Sequence, residues 1–520
     1  MQREPGVDMK LAKSLVLGLA AGLIGMSGAQ AADLPVKAKA VEYVRICSVY
    51  GAGFWYIPGT DTCIKLGGYL RAETAFNSTN YSGAYAGQLG AHNRLSNYYS
   101  MRSRQNLTVD TRTATEYGVV RTFFDANFTW TTGTYAGNAA APGSTIYSAA
   151  AGAVGNPSDG GIAGGALGIN YAFIQFAGFT MGRTLSAFDT PWVNYPANNF
   201  DGLVGGSGST NGVNQLTYTA QFGNGVSGIL SLQDSVAYMQ SGILNLTGAT
   251  AAGMLGGSNG LNNIGGTRAP ELIGVLKVDQ AWGLFQLSAA AHNNHAAYYG
   301  ATETSGHPDD KWGWAVQAGL QIKNIPTGAG DVINLQAVYT DGATRYNLQS
   351  LAAVSYSMFG GTNLVGAYQS LGFANAPDAV YTGTSVANGT GLQNVRTWGF
   401  RGGYTHNWDL YWSTGIYGAY AAIQYGNNGR AAICANAVAL LALIGSCNPD
   451  FNIAQAGIIT RWTPVKNLTF SGDFTWTRVD QKYSGTVVAP TLAAVAKPAA
   501  VYELKDQDSL NFLLRAQRNF

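Results

Sequence analysis

The last ten residues read Asn511-Phe512-Leu513-Leu514-Arg515-Ala516-Gln517-Arg518-Asn519-Phe520. Every second residue counted back from Phe520 lies on a largely apolar face, and the residues between them are mostly polar. This period of two is typical of a β-strand that separates two different environments. Because exposed chain ends usually fray, a bulky terminal aromatic favours a strand sealed into a closed sheet. A half-buried edge strand of a soluble β protein is the alternative that this segment leaves open.

The N-terminus predicts an exported protein. A short basic stretch begins at Met9, an apolar run covers Ser14–Met26, and the small residues Ala29 and Ala31 follow. This order is typical of a cleaved secretory signal peptide, because the apolar run is too short to span a bilayer. We therefore predict a signal peptide over residues 1–31, with Met9 as the true start.

The bulk composition favours a membrane β-barrel. Charged residues make up 11% of the chain, whereas soluble domains usually contain about 25%. Yet after residue 31 the sequence has no run of about 18 apolar residues that could form a transmembrane helix. A barrel strand needs only about 9–11 residues to cross the membrane, so a weakly charged chain of this kind can span with strands.

Charge and motif content argue against several other classes of protein. The chain has 30 Lys and Arg against 28 Asp and Glu and no basic stripe, so we expect no nucleic acid partner. Its five His are scattered, and its Gly-x-Ser-x-Gly match, Gly256–Gly260, lies within a long polar segment rather than at an elbow between a strand and a helix, so we expect neither an enzyme nor a metal site nor a cofactor. The Gly-rich stretch Gly206–Ser209 does not join a strand to a helix, which argues against a nucleotide site.

The four cysteines form two local pairs, Cys47 with Cys63 and Cys434 with Cys447. An even number of cysteines in an exported protein predicts disulfides. Metal binding is the competing interpretation, but neither pair has the close spacing of a zinc site.

Tight turns recur along the chain and predict a series of hairpins. The candidate turns lie at Ala114–Glu116, Ala177–Gly178, Gly223–Gly225, Asp279–Gly283, Asn324–Gly330, Asn407–Asp409 and Pro464–Asn467. Such residues adopt the backbone conformations that tight reversals need. Seven hairpins plus a first and a last strand predict an all-β, antiparallel barrel of sixteen strands. Two further strands within Ser350–Ala374 would make eighteen.

Long polar loops and flanking aromatics fit the same barrel. Segments such as Thr131–Gly164, Gln240–Thr267 and Gly426–Asp450 are rich in Gly, Ala, Ser, Thr and Asn. Membrane barrels combine long loops at one end with short turns at the other, and aromatic girdles flank the apolar band. We expect these girdles to include Tyr98, Tyr99, Trp130, Trp282, Trp312, Trp314, Trp398, Trp408 and Trp462. The predicted organisation is a signal peptide (1–31), a periplasmic lead-in with a disulfide (32–63) and the transmembrane barrel (64–520).

The mature chain resembles the general-diffusion porins of alphaproteobacterial outer membranes. The most specific motifs are Cys47-Ser48-Val49-Tyr50-Gly51-Ala52-Gly53-Phe54, Pro58-Gly59-Thr60-Asp61-Thr62-Cys63, Gly67-Gly68-Tyr69-Leu70-Arg71, Asp110-Thr111-Arg112-Thr113-Ala114-Thr115-Glu116-Tyr117-Gly118 and the terminal Phe520. The resemblance implies a sixteen-stranded barrel, a homotrimer in outer-membrane lipid, and passive diffusion of small hydrophilic solutes and ions. A non-conducting barrel that acts as an adhesin or surface-binding protein is the alternative function.

The resemblance also indicates where the pore narrows. Related porins fold a loop inward at the position of Thr184–Val213, which carries Asp189 and Asp201. We expect this loop to face a wall of arginines, which comprises Arg71, Arg102, Arg104, Arg112, Arg121 and Arg183. Guanidinium groups stay charged at any working pH, so acids and bases facing each other would set up a transverse field. The alternative is that these arginines pair with Glu73, Asp110 and Asp125 and merely satisfy the charges of the lumen.

Overall fold

The computed structural model describes residues 45–77, 83–131, 166–235 and 239–520. The predicted signal peptide, residues 32–44 of the lead-in and residues 132–165 of the first long loop segment lie outside these ranges. None of the described helices is long and apolar enough to cross a membrane.

Sixteen antiparallel strands form one closed barrel. They are β1 Thr62–Phe76, β2 Tyr99–Thr115, β3 Gly118–Thr131, β4 Ala166–Phe176, β5 Phe179–Thr184, β6 Val213–Gly223, β7 Val226–Gln233, β8 Glu271–Gln280, β9 Gly283–Asn294, β10 Lys311–Lys323, β11 Val332–Asp341, β12 Arg396–Asn407, β13 Trp412–Gln424, β14 Phe451–Val465, β15 Leu468–Gln481 and β16 Gln507–Asn519.

The C-terminal strand closes the barrel, as its alternation predicts. β16 pairs with β15 on one side and with β1 on the other, where Glu73 is opposite Arg515. Phe512 and Leu514 are exposed on the outer face, whereas Asn511 is buried on the inner face. The backbone N–H of Phe520 donates to the carbonyl of Gly68. A closed ladder leaves no free strand edge, which is the main stabilising feature of a membrane barrel.

All seven predicted turns join neighbouring strands at one end of the barrel. In the turn between β6 and β7, Asn224 (φ 50°) and Gly225 (φ 73°) both adopt positive φ, which Asn and Gly tolerate better than other residues. Two successive residues with positive φ match the twist of a tight hairpin. Long loops connect the strands at the opposite end.

The alternative of eighteen strands is wrong. Strands Ser355–Gly360 and Gln369–Asn375 form within the predicted segment, but they pair with each other and with Ala500–Leu504, outside the barrel. Together with Ser484–Ala489 and Ile444–Ser446 they make a five-stranded sheet of the long loops. A second loop sheet contains Ile243–Asn245, Leu261–Asn262, Ala379–Tyr381 and Gln393–Asn394.

The long loops fold together into a core of their own. Within the described residues, three α-helices lie in these loops, α1 Gly87–Gly90, α2 Ala251–Leu255 and α3 Asn427–Leu441. Their buried side chains, such as Met254 and Ile433, pack with the inward-facing Tyr417 and Ile453 of β13 and β14. This part of the lumen is therefore filled by loops.

The predicted aromatic girdles lie on the outer surface. Tyr98, Tyr99, Trp130, Trp282, Trp312, Trp314, Trp398, Trp408 and Trp462 are all exposed. Apolar side chains between them, such as Leu70 and Ile416, are exposed as well. An apolar band between two aromatic rings is the surface that lipid covers.

Both predicted disulfides are present. The disulfide between Cys47 and Cys63 joins the lead-in to the start of β1. The disulfide between Cys434 and Cys447 closes the loop that carries α3. The lead-in also adds the short strand Trp55–Tyr56, which pairs with Ile64 and Cys63 along the edge of β1 beyond the end of β16.

Candidate pore constriction

The segment between β5 and β6, residues 185–212, folds into the barrel. Most of its residues are buried against the inner wall, including Phe188, Trp192 and Leu203. Because the loop carries few charged groups and many Gly, Ser and Asn residues, its backbone can bond directly to the wall. We call residues 185–212 the inner loop.

A series of inward-facing glutamines fixes the inner loop. Gln286 Nε2 donates to the carbonyl of Asp189 at 2.9 Å, and Gln317 Oε1 accepts from the N–H of Ser207 at 3.0 Å. Gln336 Oε1 accepts from Trp192 Nε1 at 2.9 Å. A glutamine can both donate and accept, so one side chain satisfies either kind of backbone group. The glutamines that bind the loop are Gln233, Gln286, Gln317, Gln336 and Gln455.

Three arginines that the sequence prediction missed anchor the same loop. Arg401 is buried and donates to the carbonyls of Leu203, Val193 and Ser207. Arg461 donates to the carbonyl of Ala197 at 2.8 Å, and Arg515 donates to that of Asn199 at 3.3 Å. Their inward parity along β12, β14 and β16 was readable from the alternation. Their role in holding the loop was not readable from the sequence. Arg401, for example, contacts a loop that lies about two hundred residues earlier in the chain.

Arg71 and Arg102, two of the predicted wall arginines, lie beside the inner loop and around one buried carboxylate, that of Glu73. Glu73 of β1 pairs with Arg102 of β2 and Arg515 of β16, and Arg71 approaches it at 3.9 Å. Asp201 of the inner loop lies 3.8 Å from Arg102. The side chain of Arg71 is 14% exposed, whereas that of Glu73 is fully buried.

Arg112 and Arg121 form a separate group nearer the short turns. They lie opposite each other in the β2–β3 register, and both donate to Asp110. Arg104 is inward-facing and half-buried between the two groups, where its Nε donates to Thr129 at 3.0 Å. The inward-facing arginines of β1, β2 and β3 therefore lie at two levels along the strands.

Arg183 does not belong to this inward face. Thr180 of β5 bonds to the inward-facing Gln175, so the residues at odd positions of β5, such as Met181, point outward. Arg183 shares that parity, and its Nε donates to the carbonyl of Asn211 at the end of the inner loop. We therefore correct the prediction for Arg183: its guanidinium ties the two ends of the loop together.

Both acids of the inner loop are buried rather than open to the lumen. Asp189 accepts from the N–H and hydroxyl of Ser209 at 2.7 and 2.6 Å. Burial raises the pKa of Asp189, although the hydrogen bonds from Ser209 oppose the shift. Asp201 accepts from the hydroxyl of Tyr195. Glu73 and Asp110 pair with arginines, as the alternative of mutual charge compensation expects. Asp125 instead accepts hydrogen bonds from Asn106 and Asn170.

The chain is similar to known proteins in both sequence and fold. A family model described as a porin subfamily matches residues 33–513. The chain belongs to this porin family. Porin Omp2b of Brucella abortus is 30% identical over 388 residues, which cover 67% of this chain and 93% of that protein. Porin Omp2b of Brucella neotomae is 34% identical over 275 residues, which cover 52% of this chain and 63% of that protein.

A solved structure shows a similar fold. The outer membrane channel DcaP of Acinetobacter baumannii superposes with a TM-score of 0.51 at 16% identity, covering 89% of this chain and 99% of that one. This porin is therefore a diffusion channel of the bacterial outer membrane, and its relatives are channels rather than enzymes.

Proposed function

We propose that the inner loop and the arginine wall of β1, β2 and β3 form the constriction of a channel that favours small anionic solutes over cations. The observation that carries this proposal is the unequal exposure of opposite charges. Arg71 and Arg104 are only partly buried, whereas Glu73, Asp189 and Asp201 are buried.

The electrostatic argument follows from solvent access. A guanidinium that reaches the water of a narrow, low-dielectric passage attracts anions strongly. A carboxylate held against the wall is already compensated by its hydrogen bonds, so it contributes less to the potential that a passing ion experiences. Apart from Asp189 and Asp201, the inner loop carries no charged side chain.

Reversal potentials in a salt gradient across planar bilayers test this proposal. We expect Arg71→Gln with Arg104→Gln to shift the selectivity toward cations. Asp189→Asn with Asp201→Asn removes as many charges of the opposite sign, but we expect a smaller shift, toward anions. Equal and opposite shifts would instead favour a balanced transverse field, and no shift in either variant would mean that this loop is not the constriction.

We further propose that the protein assembles as a homotrimer in outer-membrane lipid. The support is a hollow of about 560 Å³ on the outer surface of the first and last strands, whose lining includes Ala72, Thr74, Ser103, Gly472 and Ala516. Small side chains let two barrels approach closely. Trp412 and Trp462 stand at its edge.

A further inference from the structure

Residues 46–63, the part of the lead-in considered from here on, lie on the inner side of the short-turn end of the barrel. Cys63 and Glu73 are an even number of residues apart in an uninterrupted register, so both point into the lumen. Cys63 therefore holds Cys47 on the lumen side, and both cysteines are 1% exposed. Because short turns mark the periplasmic end of such barrels, the lead-in lies in the periplasmic mouth.

Two rings of the lead-in support an arginine of the wall. The Arg112 guanidinium lies 5.7 Å from the ring of Tyr50 and 4.9 Å from that of Phe54. Phe54 is buried, and Lys65 Nζ lies 5.8 Å from the centre of its ring. Cation–π contacts of this kind hold a guanidinium in a fixed orientation without neutralising it.

Arg112 and Arg121 share a single carboxylate. Nη2 of each arginine donates to Asp110 Oδ2, at 3.1 and 3.0 Å. The side chains of Arg112 and Arg121 are still 30% and 28% exposed. Arg121 Nη1 also donates to Gln175 at 2.9 Å. The group therefore keeps a net positive charge and N–H donors for a further acceptor.

A cavity opens beside this group. Its volume is about 520 Å³, and its lining includes Tyr50, Arg112, Arg121, Gln175, Thr180 and Gln221. Cavities of about 300–1,000 Å³ accommodate small organic ligands.

We propose that the lead-in and the Arg112–Arg121 pair form an anion-binding station in the periplasmic mouth, which holds a small carboxylate solute after it has passed the constriction. Bidentate guanidinium contacts suit planar carboxylates. The opposite wall of the mouth carries Lys277 and Lys323 around one acid, Asp279, at 4.0 and 3.9 Å. This second group draws anions to the mouth but has no aromatic floor.

Citrate, added on the periplasmic side of single channels in a bilayer, tests the station. We expect it to interrupt the chloride current in a concentration-dependent manner. The variant Arg112→Gln with Arg121→Gln and Asp110→Asn removes the pair without leaving a buried acid unpaired. Loss of charged hydrogen bonds should weaken the block about tenfold.

The opposite wall supplies a matched control. Lys277→Gln with Lys323→Gln and Asp279→Asn removes the same charges from the same mouth. We expect it to leave the citrate block within about twofold of the wild type. Equal weakening in both variants would overturn the station, because it would indicate a diffuse field. The inference rests on an open channel: a conducting wild type that citrate does not block refutes the station alone, whereas absence of conductance refutes the proposed function.

The disulfide provides a second measurement, should the triple variant fail to fold. Cys47→Ser with Cys63→Ser releases the lead-in from the wall, and we expect weaker citrate block because Tyr50 no longer supports Arg112. Cys434→Ser with Cys447→Ser removes a disulfide from an outer loop and should leave the block unchanged. Unchanged block in the lead-in variant would contradict a role for the lead-in.

Discussion

At the scale of single residues, Arg401 is the strongest anchor of the inner loop. Its guanidinium donates to the carbonyls of Val193, Leu203 and Ser207 from a fully buried position. Replacing it by Gln removes charged hydrogen bonds and should reduce the free energy of unfolding by about 3 kcal/mol. A loosened loop should also make the open-channel current larger and noisier, as single-channel recordings can measure.

Arg396 is the matched control on the same strand. Its side chain is 64% exposed and pairs with Asp341 at the outer rim. Exposed ion pairs contribute about 0–1 kcal/mol, so Arg396→Gln should leave both stability and current near wild type. If Arg401→Gln behaves like Arg396→Gln, other contacts hold the loop.

At the scale of strands and loops, the sequence predicted those features that are determined by residues close together in the chain. Period-two alternation placed β16 and its inward face, and the turn residues placed the seven hairpins. The loop sheets were not predictable, because Gln369–Asn375 pairs in parallel with Ala500–Leu504, more than a hundred residues away. Such short strands carry no periodic pattern of their own.

The same limit explains the corrected parts of the site. The even spacing of Arg102, Arg104 and Arg112 places them on one face of β2, in agreement with its register. It could not reveal that Asp189 and Asp201 turn into the wall, because their partners Ser209 and Tyr195 belong to the fold of the loop itself. Arg183 was misplaced because β5 ends at Thr184, too soon for its alternation to be recognised.

The outer disulfide should stabilise its loop rather than the barrel. Cys434 lies in α3, which packs on the loop core through Ile433 and Ala437. A loop of this length gains about 3 kcal/mol from its cross-link. We expect Cys434→Ser with Cys447→Ser to leave the barrel's unfolding and conductance unchanged, while limited proteolysis cuts residues 425–450 faster. A changed conductance would show that this loop reaches the conducting path.

At the scale of the whole molecule, the outer surface has two comparable hollows. One lies on the first and last strands and includes Ala72. The other, of about 620 Å³, lies on β5–β9 and includes Gly274 and Ala289. If three barrels pack through the first hollow, a bulky side chain should separate them there, whereas lipid chains in the second hollow can rearrange around it.

Ala72→Trp and Ala289→Trp test the assembly as a matched pair. Both positions are exposed on the outer face and apolar, so neither variant places a charge in the membrane. We expect light scattering in mild detergent to give a trimer for the wild type and Ala289→Trp, and monomers for Ala72→Trp. The converse result would move the interface to β5–β9, and a monomeric wild type would refute the trimer. Conductance that persists in the monomer would show that each barrel carries its own complete pore, as the inner loop docked within a single chain implies.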